Sequence, residues 1–460
     1  MSEPTALSLV PPIVVLVLAI WLRRPILALI IGAVSGLLLL DPSQVLNSFA
    51  DISLKVMADE TIGWLILVCG SFGALIALLV RTGGALAFGR KALKLAKGPR
   101  SSLLMTFVLG LVIFIDDYLN ALTVGETMKR VTDRFKISRE MLAYVVDSTA
   151  APVCVLVPLS TWAVFFGGLL VNNGVAAEGE GIQIYMQAIP YMFYAWLAVA
   201  MVLLVILGIV PAMGPMKKAQ LAAAAGSPAK EQTDFDEVQT SDEYAVRAME
   251  EEFEQADKQG KLHNFLVPIL LLVGFTVYFD IDVWKGLLAT LVITLPYYAV
   301  QRLMPLSEMM DQMIDGFKSM LPAIGTVIAA FVFKDVCDQL LLPQYVIESL
   351  SPFMTPKLLP AVVFVAMAIL AFATGSSWGI FAVTIPIVMP LAQSVGADIP
   401  LVIGALLSAS SFGSQACFYS DSTVLAAQGS GCNLVSHAVT QLPYALIAAV
   451  LTFIGFIIVA

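Results

Sequence analysis

The sequence predicts an all-α polytopic membrane protein made of two inverted-topology repeats, each with about five transmembrane helices plus a re-entrant hairpin. Three observations predict it. Hydrophobic residues make up 59% of the 460 and charged residues only 13%, with a mean hydropathy of +0.89. So few charges cannot cover the surface of a soluble protein of this length. A six-part apolar pattern starts near 8, 25, 62, 101, 140 and 185 and again near 263, 284, 318, 358, 399 and 440, with offsets of 255 to 259. A duplication of this kind in a membrane chain is how a two-sided transporter is usually built. The third observation is the sidedness of Lys and Arg in the loops, which sets orientation.

Taken in order, the first span leads to Arg23 and Arg24, expected inside, and the loop 41–61, with Lys55 among four acids, is expected outside. The next loop is strongly basic (Arg81, Arg90, Lys91, Lys94, Lys97, Arg100) and returns inside. Residues 128–139 are basic again, yet only the apolar stretch 101–127 separates the two inside loops. That stretch reads as a re-entrant hairpin turning near Asp116-Asp117-Tyr118. The chain then crosses at about 140–172 and recrosses at 185–211, giving five crossings and one hairpin. An odd number of crossings inverts the second copy, whose own hairpin falls at about 358–393 and leaves both termini external. The predicted domains are 1–213, a cytoplasmic linker 214–262, and 263–460.

The linker holds most of the net charge of −9: residues 226–260 carry eleven acids against Lys230, Arg247 and Lys258. It reads as a solvated tether, partly helical around 240–258. The N-terminal MSEPTALSLVPP has no basic n-region or cleavage site and reads as the lead-in to a span. Five dispersed cysteines without CxxC spacing read as small core residues, and two histidines are too few for a histidine-rich metal site.

Ionisable residues inside spans are costly and therefore functional candidates. The first half offers FIDDYLNALTVG (114–125) and DSTAAPVCVLVPLSTW (147–162); the second offers FATGSSWGIFAVT (372–384) and SASSFGSQACFYSDSTV (408–424). Each pair joins a hairpin turn to a helix expected to break, at Pro152 and Pro158 in one copy and at Gly413 in the other. Freed carbonyls, hydroxyls and a carboxylate make an oxygen-rich site suited to a hard cation such as Na⁺. Asp116 and Asp117 share a helix face with Asn120 or cap a short helix. Asp147-Ser148-Thr149 reads as a transport site or an N-cap, and Asp421-Ser422-Thr423 repeats the tripeptide, with Asp421 opposite Leu159 when the copies are superposed. Thr374, Ser376 and Ser377 line the second turn, and Trp378 and Tyr419 read as packing or gate residues.

At these four motifs the chain resembles the NhaC family of Na⁺/H⁺ antiporters, within the ion transporter superfamily, over essentially its full length. The resemblance implies paired hairpins, elevator-type alternating access, a homodimer, and a transport site at Asp116, Asp117, Asn120, Asp147, Ser148, Thr149, Ser376, Ser377, Asp421, Ser422 and Thr423. It makes Na⁺ and H⁺ the expected cargo, with Asp147, Asp421 and Asn120 as Na⁺ candidates. No cofactor and no nucleic acid are expected, and the location is a bacterial inner membrane. Members that exchange organic acids and relatives linked to tetracycline efflux keep an organic solute open as the alternative. Few intramembrane Lys or Arg, with Lys318 and Lys334 the exceptions, favour the inorganic ion. An intramembrane aspartyl protease would carry YD and GxGD elements, and neither occurs.

Overall fold

The computed structural model describes residues 5–22, 24–226, 260–350, 352, 354–374, 377–418 and 420–460. The described residues form helices and no strands. In the first half these are α1 (Val10–Leu22), α2 (Pro25–Leu40), α3 (Val45–Met57), α4 (Glu60–Arg81), α5 (Gly84–Leu95), α6 (Pro99–Val112), α7 (Asp117–Arg134), α8 (Arg139–Thr149), α9 (Ala151–Leu156), α10 (Thr161–Asn172), α11 (Gly181–Ala188) and α12 (Phe193–Leu207). Helix α13 (Gly214–Ala224) opens the predicted linker; its expected helix around 240–258 lies outside the described residues. The second half comprises α14 (His263–Tyr278), α15 (Val283–Val300), α16 (Leu306–Ser319), α17 (Leu321–Gln339), α18 (Leu342–Leu350), α19 (Leu359–Thr374), α20 (Ser377–Val395), α21 (Ile399–Ala416), α22 (Asp421–Ser430) and α23 (Leu434–Val459).

Helix boundaries in the two halves recur about 260 positions apart. Pro99, Asp117, Arg139 and Thr161 open α6, α7, α8 and α10; Leu359, Ser377, Ile399 and Asp421 open their counterparts 260 positions later. Contacts follow the same exchange. Helix α7 packs on α22 and α20 packs on α10; α4 packs on α16 and α17 on α3. The α4–α16 seam is made by small residues: a Cβ on Gly73 would come within 2.0 Å of the Gly316 carbonyl oxygen.

Five helices among the described residues are long and apolar enough to cross a membrane, or up to seven if each bent pair counts as one span. One break has an identifiable cause. Pro152 in the first turn of α9 cannot donate to the carbonyl four residues back, and α8 ends at Ala150 (φ −83°, ψ −97°). The axis of 139–156 then turns by 41° into 161–172. The arms of both hairpins, at 14 to 19 residues, are short to moderate; 14 residues give about 21 Å of helix against roughly 30 Å of hydrocarbon. The expected crossings at 25–40 and 263–278 are likewise formed by short helices.

One expected break is corrected. Helix α21 runs through Gly413 to Ala416 without interruption. Gly413 is there for packing, because a Cβ would fall 2.2 Å from the Ala371 Cβ on α19. Helix α21 ends at Ala416 and α22 begins at Asp421.

Candidate functional site

The first hairpin turns where the sequence placed it, between Val112 and Asp117. Asp116 is the N-cap of α7: its Oδ1 accepts from the backbone N–H groups of Tyr118 and Leu119, both at 3.0 Å. Its Oδ2 accepts from the Thr161 hydroxyl at 3.0 Å, which ties the turn to the start of α10. Asp117 is buried and its Oδ1 has no hydrogen-bond partner. Asn120, one turn on, is fully buried. Its Nδ2, with two N–H groups to share, lies within hydrogen-bond distance of the carbonyl oxygens of Gly110 (2.7 Å), Ile113 (2.7 Å) and Thr149 (2.8 Å), while its Oδ1 has no partner. Three carbonyls released at the ends of α6 and α8 thus converge on one amide nitrogen.

The two Asp-Ser-Thr tripeptides sit at opposite ends of helices. Asp147-Ser148-Thr149 closes α8, so the N-cap alternative does not hold there; Asp421-Ser422-Thr423 opens α22, capped by Ser420. Ser160 donates to the Cys154 carbonyl and Ser420 to the Ser414 carbonyl, each six positions back, at the break of each half. This pairing fixes the register and corrects the alignment. Asp421 corresponds to Thr161, 260 positions earlier, not to Leu159, because the turn between helices is matched only when the two cap serines coincide. Both residues meet the first hairpin, Thr161 through Asp116 and Asp421 through the Tyr118 hydroxyl at 2.9 Å.

Asp147 is fully buried. Its Oδ2 accepts from Gln441 Nε2 at 2.7 Å and Thr423 Oγ1 at 3.2 Å, with His437 Nε2 at 3.3 Å. Its Oδ1 has no hydrogen-bond partner. Ser148 Oγ accepts from Gln415 Nε2 at 2.7 Å, and Gln415 Oε1 accepts from the Tyr194 hydroxyl at 2.6 Å. Thr149 Oγ1 donates back to Val145 and Val146, and Ser422 and Thr423 both donate to the Ser414 carbonyl. The first hairpin and both tripeptides are therefore brought together across the two halves. Thr374 closes α19 and Ser377 opens α20; Ser376 and Tyr419 lie outside the described residues, as do the side chains of Thr374, Ser377 and Trp378.

Residues the sequence reading missed come from α10, α12, α21 and α23. His437, Gln441 and Tyr444 lie on one face of an otherwise apolar 26-residue helix, at i, i+4 and i+7. That spacing was the available signal. Lys318 and Lys334, which the sequence reading placed within spans, pair with Asp315 and Asp338 at 2.8 and 2.7 Å. All five cysteines are buried and free, and no group of three metal-ligating side chains occurs among the described residues. What the cluster offers is oxygen: bare Oδ1 atoms on Asp117, Asn120 and Asp147. Such a donor set suits a proton or a hard monovalent cation rather than a soft metal.

The comparisons with known proteins agree with this chemistry. Residues 153–460 match the Na⁺/H⁺ antiporter family. An uncharacterized protein of Haemophilus influenzae is 30% identical, over 98% of this chain and 90% of its own length. The malate-2H⁺/Na⁺-lactate antiporter of Bacillus subtilis is 26% identical over 42% of this chain and 41% of its own. Among solved structures, the Alcanivorax borkumensis YdaH transporter shares the fold with a TM-score of 0.61 at 13% identity, covering 98% of each chain. Neisseria gonorrhoeae MtrF, reported to illuminate a class of antimetabolite efflux pumps, gives 0.52 at 12% identity, over 98% of this chain and 95% of its own. The chain belongs to the Na⁺/H⁺ antiporter family: it is an integral membrane protein and a secondary transporter, not an enzyme.

Proposed function

We propose that the protein is a Na⁺/H⁺ antiporter that trades protons for sodium by elevator-type alternating access. The observation that carries this reading is the asymmetry of Asp147, fully buried with Oδ2 held by Gln441 and Thr423 and Oδ1 bare. A carboxylate fixed by one oxygen presents the other to a single occupant, either a proton or a hard cation. Exposed to each side in turn, it exchanges the two by competition and needs no second pathway. Asp421, Asn120 and the hairpin aspartates supply further oxygen within the same buried region, and none of the partners of Asp147 is Lys or Arg.

The surrounding architecture belongs to the same proposal. Residues 1–213 and 263–460 are two inverted repeats, joined by a cytoplasmic linker at 214–262, in the inner membrane of a bacterium, with both termini outside. The 260-residue recurrence of helix boundaries and the reciprocal α7–α22 and α20–α10 packing support a two-fold relation between the halves. A homodimer in which one part of each protomer is the fixed frame follows from the elevator reading.

The second reading is coupled transport of an organic solute. What favours it is the similarity to a malate-2H⁺/Na⁺-lactate antiporter over 199 residues. One experiment separates the two. The purified protein is placed in liposomes and internal pH is followed as Na⁺, Li⁺, K⁺, malate, lactate and tetracycline are added in turn. Antiport predicts a pH change with Na⁺ alone. A change that requires an organic solute overturns the inorganic assignment and leaves the second reading standing.

A further inference from the structure

On the basic side of the molecule, α5 and the start of α14 enclose a cleft of about 950 Å³. Lys91, Lys94, Lys261 and His263 stand around it, and Leu266 and Val267 form part of its wall. Several basic side chains elsewhere are paired within the protein: Arg81 with Glu308, Lys129 with Glu126, Lys285 with Asp282, Lys334 with Asp338. Among the described residues Lys91, Lys94 and Lys261 have no carboxylate partner, and no acid lines the cleft. Lys91 and Lys94 are three apart on one helix and face the same way. His263 is held by the Tyr297 hydroxyl at 2.8 Å.

The face of α14 that lines the cleft does not end there. His263, Leu266 and Val267 are followed at helical spacing by Leu270, Gly274 and Val277. Leu270 is 68% and Val277 64% exposed, and a Cβ built on Gly274 would meet nothing within 4 Å. A cationic cleft therefore adjoins an uncovered apolar face of the short apolar helix α14. A free anion would use only the first part. An amphiphile with a phosphate head and an acyl chain would use both, and basic pockets between membrane helices are suited to such headgroups.

We propose that this cleft binds an anionic phospholipid, with the phosphate among Lys91, Lys94 and Lys261 and one acyl chain along Leu270, Gly274 and Val277. The site is separate from the transport cluster and does not depend on the cargo. Two other occupants are distinguishable: inorganic phosphate, and the acidic residues 231–257 that precede Lys261 in the sequence.

The test uses the full-length protein in detergent, with retained lipid counted by native mass spectrometry during titration with phosphatidylglycerol or phosphatidylcholine. Wild type is expected to retain phosphatidylglycerol preferentially. Each Lys→Gln change weakens retention about fivefold, the equivalent of about 1 kcal/mol per basic residue. The K91Q/K94Q/K261Q triple variant loses the preference and the corresponding triple Arg variant keeps it; should the triple Gln protein not fold, Lys91→Gln alone carries the comparison. Leu270→Ser weakens lipid retention while leaving the headgroup preference in place. Unchanged preference in the Gln variants overturns the proposal. So does displacement of the lipid by equimolar inorganic phosphate, or a preference that emerges only when the acids at 231–257 are neutralised.

Discussion

Asn120 shows how a single side chain can carry both architecture and chemistry. Its amide nitrogen gathers the carbonyls of Gly110, Ile113 and Thr149, so it closes the hairpin onto the end of α8. Asn120→Ala leaves those carbonyls without that donor in a dry interior, at a cost of about 1–3 kcal/mol. Lowered thermal melting in detergent is expected, with loss of exchange; unchanged melting would mean the turn is held elsewhere. The residue types of the site were legible in the sequence because carboxylates, Asn and clustered hydroxyls stand out against apolar spans. Roles were less legible. Asp116 takes the helix-cap alternative that the sequence left open and also receives Thr161, and Asp147 gained His437 and Gln441 from a helix nearly 300 positions away. No local pattern announces a partner at that separation.

At the level of helices, close approach is set by glycine rather than by ion pairs. Gly73 and Gly316 let α4 and α16 touch backbone to backbone, and Gly110 brings α6 against the Thr149 side chain. Gly73→Ala forces a methyl to within 2.0 Å of the Gly316 carbonyl oxygen and should cost about 1–3 kcal/mol. Gly63→Ala, on the same helix with nothing within 4 Å, should instead raise stability by about 0.5–1 kcal/mol. Paired melting curves check this, and equal shifts would show that the seam is not the constraint. Loop charge suggested the first hairpin, and the apolar repeat the second. The break point in α21 did not, because a glycine inside a helix marks either a kink or a close neighbour, and only the Ala371 contact decides between them.

For the molecule as a whole, the apolar pattern recurs in the sequence at offsets of 255 to 259, and helix boundaries and the Ser160 and Ser420 bonds recur 260 positions apart. Inversion is a statement about sides, and labelling tests it. The native cysteines are all buried, so single added cysteines report cleanly. Lys97→Cys and Lys357→Cys lie 260 positions apart at exposed sites. In intact cells an impermeant maleimide should label Lys357→Cys and reach Lys97→Cys only after permeabilisation; labelling from the same side would refute the inverted arrangement.

The central claim is that one bare oxygen on Asp147 is where proton and cation compete. It is tested most directly in liposomes carrying wild type or Asp147→Asn, a change that preserves shape and leaves the Gln441, Thr423 and His437 side chains in place. With an inward Na⁺ gradient and internal pH as the readout, wild type should expel protons. The variant should show no Na⁺-dependent pH change while melting within a few degrees of wild type. Sodium-driven proton movement at the wild-type rate in a folded Asp147→Asn protein would contradict the account.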